Sequence, residues 1–459
     1  METQQDPMKD DLPLMANTSY MLAKHYVLDL DVDFTRKVIE GIIVLFFETG
    51  SQYRKNSTGE EASQTQFDEA CKRRASEPCH IPATNVSACS SKTEYKDFTA
   101  CGKGEEDTSD KNGNHSNQDQ ASGISSSKDC CDIGNNGNKD FLLVLDCCDL
   151  AVLKVEEVDV ATVSGIEKLT RLAQLTGVSK ELENLRNQIV HELVTLSADR
   201  WKEQLYYFTC CSQAPGCGEL LFTTGPWSLE IRKPGVKTAV DFPHAIRIWY
   251  KTKPEGRSVT WTTDQSGRPC VYTVGSPINN RALFPCQEPP VALSTWQASV
   301  RTAADFVVLM SGENSAEPVQ LQEGILSWYY YVTMPMPAST FTIAVGCWQE
   351  VKQQSLAAPG QTNIEFSLPS SQSDFRLVFR ILCNHVEYPC RFQNPAARLQ
   401  AVIPYRVFTP WSLVECCKEH LLQLIPQCLS AAYNTLGTHP FSRLDVLIVP
   451  SNFSSLGMA

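Results

Sequence analysis

His25-Tyr-Val-Leu-Asp-Leu-Asp-Val-Asp-Phe34 alternates apolar and polar residues. Val27, Asp29, Asp31 and Asp33 fall on one side of such a segment, and Leu28, Leu30, Val32 and Phe34 on the other. Successive side chains of a strand point to opposite faces, so this pattern is that of a half-buried β-strand. A short polar turn leads to Val38–Phe47, which contains the apolar run Ile42-Ile-Val-Leu-Phe-Phe47. That run is far short of the ~20 residues a membrane helix needs, and it reads as a second strand, antiparallel to the first. The signal recurs between Trp227 and Trp348. Trp227–Ile231, Ala245–Lys251, Ser258–Trp261 and Ser327–Thr333 are short, β-branched or aromatic, and bounded by Pro and Gly. Many short strands separated by turn signals predict a mainly β molecule, a sandwich or a curved sheet.

Other segments break the pattern. Residues 51–138 are rich in Ser, Asn, Asp, Lys and Gly, with few aromatics and no sustained period. Too little apolar surface is available there to offset the entropy of ordering, which predicts a disordered insertion. Its Cys71, Cys79, His80, Cys89 and Cys101 are irregularly spaced, unlike the closely paired ligands of a structural zinc site. Residues 164–208 read as a second, helical insertion, in which Leu182, Leu185, Ile189 and Leu193 share one face. Residues 1–24 read as a tail and 351–375, with Pro359 and Gly360, as a linker. Val414–Ile425 is an amphipathic helix that Pro426 kinks or ends, with Cys428–Leu436 continuing as helix. Leu444–Val449 has the composition of a buried strand.

Composition bounds the partners. A formal net charge of −12 argues against a general nucleic-acid or anionic-membrane binder, since both need a basic surface. The N-terminus is polar and acidic, with neither the basic start nor the apolar run of a secretory signal. The 19 cysteines are odd in number and include four adjacent pairs, at 147–148, 210–211, 416–417 and 130–131. They read as reduced thiols of an intracellular, cytoplasmic or nuclear, protein.

Asn279-Asn-Arg-Ala-Leu-Phe-Pro-Cys-Gln-Glu-Pro-Pro290, on its spacing alone, is a proline-rich loop with Arg281 paired to an acidic neighbour. It stands in one order with the opening hairpin, Leu143–Val155, Tyr329–Gly346 with its proline-rich turn and Val-Gly end, and Arg443–Pro450. Together these segments resemble the zinc aminopeptidase family that includes leukotriene-hydrolase-type enzymes, the gluzincins. The resemblance implies a saddle-shaped N-terminal β-sandwich domain over residues 25–350. It further implies the truncated start of an α+β thermolysin-like catalytic domain over 376–459. It implies an enzyme that cleaves N-terminal residues from peptides, with zinc as the cofactor of a complete family member. Its partners would be peptide substrates in the complete form, and neither nucleic acid nor membrane.

The family draws its zinc ligands and base from an H-E-x-x-H helix and a later Glu. No H-E-x-x-H occurs in the 459 residues, and the nearest approach, His191-Glu-Leu-Val-Thr195, puts a hydroxyl where imidazole is needed. The resemblance sets the chain's last residues inside the family's G-x-M-E-N strand, ahead of the zinc helix. It therefore predicts no metal ligand, no catalytic residue and no activity for this chain alone. Family-equivalent substrate-binding positions are Ser276, Gly457, Met458 and Ala459. Ser276 stands where the family has a Gln that helps hold the substrate N-terminus. Ala459 stands where it has the Glu that binds the free amine, and a methyl group cannot make that charge-assisted contact. A rival reading is a non-catalytic interaction or regulatory module that modulates the full-length peptidase.

Overall fold

The opening hairpin forms as its period dictates. Strand β1 (Met21–Asp33) pairs antiparallel with β2 (Val38–Thr49), from Met21 opposite Thr49 to Asp33 opposite Val38. Leu28 and Leu30 are buried, and Val32 and Phe34 pack against the same core. The strand starts at Met21, ahead of the alternating segment, and Met21 and Ala23 are fully buried. Residues 21–24 thus belong to the core rather than to a tail. A bulge between Ala23 and His25 interrupts the register there, which is why the strict period begins only afterwards.

The computed structural model describes residues 13–50, 140–166, 179–314, 317–352, 388–389, 403–437, 439–451 and 453. The chain divides into two units, Met1–Thr58 with Asn138–Ala459, and Gly59–Gly137. The second unit, the 51–138 insertion and residues 353–375 of the linker lie outside the described residues.

The first unit is mainly β, the expected fold class. Next to β2 lies β8 (Ala245–Thr252), then β4 (Leu150–Val158) and β5 (Gly216–Glu219), all antiparallel. On the other side, β1 pairs in parallel with β11 (Ser294–Ala303). Beyond β11 comes β15 (Ile325–Met336), which carries β13 (Glu313–Asn314) and β14 (Val319–Gln322). Two smaller sheets share the core of this large one. The first is β3 (Leu142–Asp146), β7 (Ser228–Arg232) and β6 (Leu221–Thr224). The second is β12 (Val307–Met310), β16 (Ile343–Gly346), β10 (Pro269–Thr273) and β9 (Val259–Thr263). Leu28, Leu30 and Ile43 meet Leu143, Leu229 and Ile231 from the first and Val271, Val308 and Val345 from the second. Gly41 of β2 faces Tyr250 of β8, and a Cβ at Gly41 would lie 2.4 Å from the Tyr250 ring, so only glycine fits. The Leu143–Val155 segment makes two strands that are not partners, since β3 and β4 belong to different sheets.

The uninterrupted apolar run of β2 has a structural cause. Ile43, Leu45 and Phe47 face the sandwich core, while Val44 and Phe46 face a second core on the opposite side. A strand buried on both faces loses its alternation. That second core is built by α1 (Ser179–Val194) and α2 (Trp201–Ser212), which contribute Ile189, Val190, Leu193, Phe208 and Cys211. Leu185, Ile189 and Leu193 face the sheet as expected, but Leu182 stays exposed, one turn before the contact begins. The Phe208 ring stacks on His25 of β1 at 3.8 Å. Arg186 and Lys233 bind the acids of β4 and its end: Arg186 reaches half-buried Asp159 at 2.9 Å and Lys233 reaches buried Glu157 at 2.7 Å.

Toward the C-terminus, β18 (Tyr405–Thr409) pairs with β17 (Gln349–Glu350) and, in parallel, with β19 (Leu444–Leu447). Helix α3 (Val414–Leu436) packs over them through Cys417 and Ile425. It runs straight through Pro426 as one 23-residue helix. The expectation that Leu444–Val449 is a buried strand is corrected: β19 is half-buried, with one strand neighbour among the described residues.

Candidate functional site

The loop from β10 to β11 carries Pro277, Pro285, Pro289 and Pro290, and proline cannot donate a ladder hydrogen bond. Side chains hold the loop instead. Asn280 sits in a short 3-10 turn, Asn280–Ala282, and donates to the carbonyls of Ala338 (2.6 Å) and Phe341 (2.7 Å). This ties the loop to the turn between β15 and β16. Gln287 accepts from the Ala23 N–H (2.8 Å) and donates to the Met21 carbonyl (2.9 Å). It thereby satisfies backbone groups next to the bulge of β1. Cys286 and Asp146 exchange backbone hydrogen bonds of 2.8 and 3.1 Å.

Under these bonds lies a buried cluster of Arg281, Asp146 and Glu288. The Arg281 guanidinium donates to the carbonyls of Pro13 (2.5 Å) and Ile278 (3.1 Å) and lies 3.8 Å from Asp146 Oδ1. The Arg281 backbone N–H donates to Glu288 Oε1 at 2.8 Å. Asp146 Oδ2 accepts from the Glu288 N–H (2.9 Å), and Oδ1 from the Met15 N–H (2.7 Å). Asp146 thus faces the guanidinium, while Glu288 binds the Arg281 backbone and feels the same charge. Burial pushes Glu288 up to about 7 against the pull of Arg281, and burial likewise raises Asp146. The Arg281 partner is acidic, as its spacing alone suggested, but the partner comes from β3 rather than from the loop. The cluster fixes backbone and reaches no solvent, so its role is to hold the loop in place.

Ser276 sits half-buried on the loop's first turn, where its carbonyl accepts from Asn279 Nδ2 at 3.0 Å. Gly275 beside it is pressed onto the loop: a Cβ there would lie 2.3 Å from Asn280 Nδ2 and 2.7 Å from the Ser339 carbonyl. Gly457, Met458 and Ala459 lie outside the described residues, so the structure does not place them against Ser276. Asp146, Asn280, Gln287 and Glu288 carry the loop's geometry, and reasoning from sequence did not single them out. Gln287 and Glu288 were within the quoted motif. Their partners, Ala23 and Asp146, lie more than a hundred residues away, and no local pattern links them.

Among the described residues no three of His, Cys, Asp or Glu stand together in a way that could hold a metal ion. His25 and His244 are buried separately, and burial pushes them down to about 3 and about 4. Thr195 of the H-E-L-V-T segment turns its hydroxyl back onto the His191 carbonyl at 2.7 Å. These residues do not fit a zinc centre.

Residues 241–340 match the Peptidase M1 N-terminal domain. The match runs from just before β8 to the turn before β16 and contains the whole clamped loop. The chain is 68% identical to aminopeptidase O of Homo sapiens, an alignment covering 100% of this chain and 55% of that relative. With aminopeptidase O of Mus musculus the identity is 62% at the same coverage. The chain is thus a homologue of aminopeptidase O, and it spans about half the length of the curated relatives it matches. Among solved structures it is similar to native leukotriene A4 hydrolase from Saccharomyces cerevisiae, at 13% identity and a TM-score of 0.46. That likeness covers 100% of this chain and 42% of the hydrolase.

Proposed function

We propose that this chain is the non-catalytic part of a zinc aminopeptidase that releases N-terminal residues from peptides. The identity to aminopeptidase O along the full chain carries this reading. In it, residues 25–350 form the saddle domain flanking the substrate cleft, and residues 376–459 open the catalytic domain. The clamped loop sets one wall of the cleft. Its rigidity keeps Ser276 in place, and the Ser276 hydroxyl, shorter than the family's Gln, leaves more room at the substrate N-terminus. Gly457, Met458 and Ala459 are the family-equivalent positions for the same end of the substrate, and Ala459 lacks the carboxylate that would bind the free amine. The ligands and base of the zinc centre come from outside these residues, which is supported by the absence of H-E-x-x-H from the sequence. Alone, the chain is expected to hold no stoichiometric zinc and to release nothing from aminoacyl reporters. The test is metal analysis and a reporter assay on the purified chain, beside a polypeptide of the relatives' length that includes it. A chelator-sensitive activity that stays with the short chain at constant specific activity refutes the division of labour. An inactive long polypeptide refutes the aminopeptidase reading.

A further inference from the structure

A cavity of about 320 Å³ lies apart from the Ser276 loop, between the turn after β3 and the turn after β6. Cys148, Asp149, Trp227, Lys253 and Arg257 face it. Local geometry builds it. Asp149 takes a left-handed conformation (φ 52°), which Asp tolerates better than most residues. Its carbonyl accepts from the Lys253 N–H (3.2 Å), and the Lys253 carbonyl accepts from the Gly256 N–H (3.0 Å). This tight turn after β8 brings Lys253 and Arg257 to the same mouth.

The charges there do not balance. The Arg257 guanidinium lies 4.8 Å over the Trp227 ring, with Nε 3.6 Å from Asp149 Oδ2. Its Nη1 is shielded from solvent and has no hydrogen-bond partner among the described residues. Lys253 is exposed and has no ion pair among the described residues. Arg281 also lies near the Trp227 ring, at 5.8 Å, but its charge is matched inside the clamp by Asp146. The cavity therefore holds two cations against one carboxylate. The excess positive charge at its mouth favours an anionic acceptor placed here. The Cys148 thiol is no rival candidate: burial, with Asp149 beside it, pushes it up to about 12, and a protonated thiol is a poor nucleophile.

We propose that this cavity binds a small oxyanion, a carboxylate or a phosphate, between Arg257 and Lys253 with Trp227 as its wall. A planar guanidinium presents its N–H groups to either anion with matched geometry, and an ammonium adds a point charge. The test is calorimetric titration of the full chain with inorganic phosphate and with acetate, at constant ionic strength set by chloride. Saturable binding of either anion is expected. Binding of phosphate alone identifies a phosphate source, and binding of acetate alone a carboxylate source. Lys253→Gln and Arg257→Gln should each weaken binding by roughly tenfold or more, the loss of one charge-assisted hydrogen bond. Asp149→Asn, which removes the competing carboxylate and still tolerates the left-handed turn, should tighten it. Lys253 is exposed, so its variant keeps the fold and decides the matter even if Arg257→Gln does not fold. Absence of saturable binding by both anions, or unchanged affinity in Lys253→Gln, overturns the proposal.

Discussion

Glu288 and Asp146 compete for the charge of Arg281, and the competition has a pH signature. The ordinary carboxyl value of Glu288 is 4.5, and in the fold it rises to about 7, mainly through burial. A raised acid binds its proton more tightly folded than unfolded. Stability is therefore fully present below the unfolded value and is lost as pH rises through the folded one. At about 1.4 kcal/mol per unit, the loss across that window is on the order of 3–4 kcal/mol. Glu288→Gln keeps the Oε1 acceptor for the Arg281 N–H and removes the titration. It should flatten the profile of urea midpoints between about pH 4.5 and about pH 7, leaving the slope that the raised Asp146 contributes in the same direction. Equal slopes in the two proteins would clear Glu288 of the effect. Arg281→Met leaves both carboxyls without a cation and strips the bonds to Pro13 and Ile278. A loss of about 3–5 kcal/mol is expected from denaturant unfolding, as for other broken buried pairs. A loss under about 1 kcal/mol would mean that the loop is held by Asn280 and Gln287 alone.

Among the elements, α3 departs most from its local signals. Pro426 sits inside the helix, removes a backbone donor and crowds the preceding turn. The helix continues because Ile425 and Cys417 are buried against Val407 of β18 and hold both halves in line. Propensity is a weak term that packing overrides. Pro426→Ala should stabilise the chain by about 1–3 kcal/mol, read as a raised thermal midpoint with higher helical ellipticity. An unchanged midpoint would show that the helix does not unfold with the rest of the chain. The loop from β10 to β11 makes the opposite case. Its prolines announce that it cannot be a strand, and the bonds that give it one shape come from β1, β3 and the β15–β16 turn.

At the scale of the molecule, the large sheet has a core on each face. One face meets the two smaller sheets, and the other meets α1 and α2. Phe208 anchors the helical side, packed on both His25 and Phe46. Phe208→Ala should cost about 3–5 kcal/mol, the sum of lost transfer energy and a cavity against the sheet. It should also release His25 from its stack, so the ring, held down to about 3 in the native chain, should titrate closer to its usual value of 6.5. Proton NMR of the His25 ring checks this, and an unmoved His25 titration would show that β11 and not α2 shields it.

Much of the fold was legible from residues 25–47 alone. Alternation there follows from the geometry of one strand, so it survives in the sequence without knowledge of any neighbour. The strands at 227–232, 245–252 and 325–336 were legible for the same reason, and so was the face of α1 from Leu185 to Leu193. Strand pairing was not legible. The parallel union of β1 with β11 joins residues about 270 apart, and the sequence of β1 reads the same whichever strand lies beside it. The two-sided burial of β2 also depended on where α1 and α2 settled. At the site, the motif at 279–290 announced a constrained loop and drew the eye to Arg281 and Ser276. The constraint comes from Asp146, Ala23 and Ala338, which meet the loop only after three sheets have packed. Local periodicity encodes what each segment buries, whereas charge pairing and loop shape depend on contacts between distant segments, and those exist only in the tertiary structure.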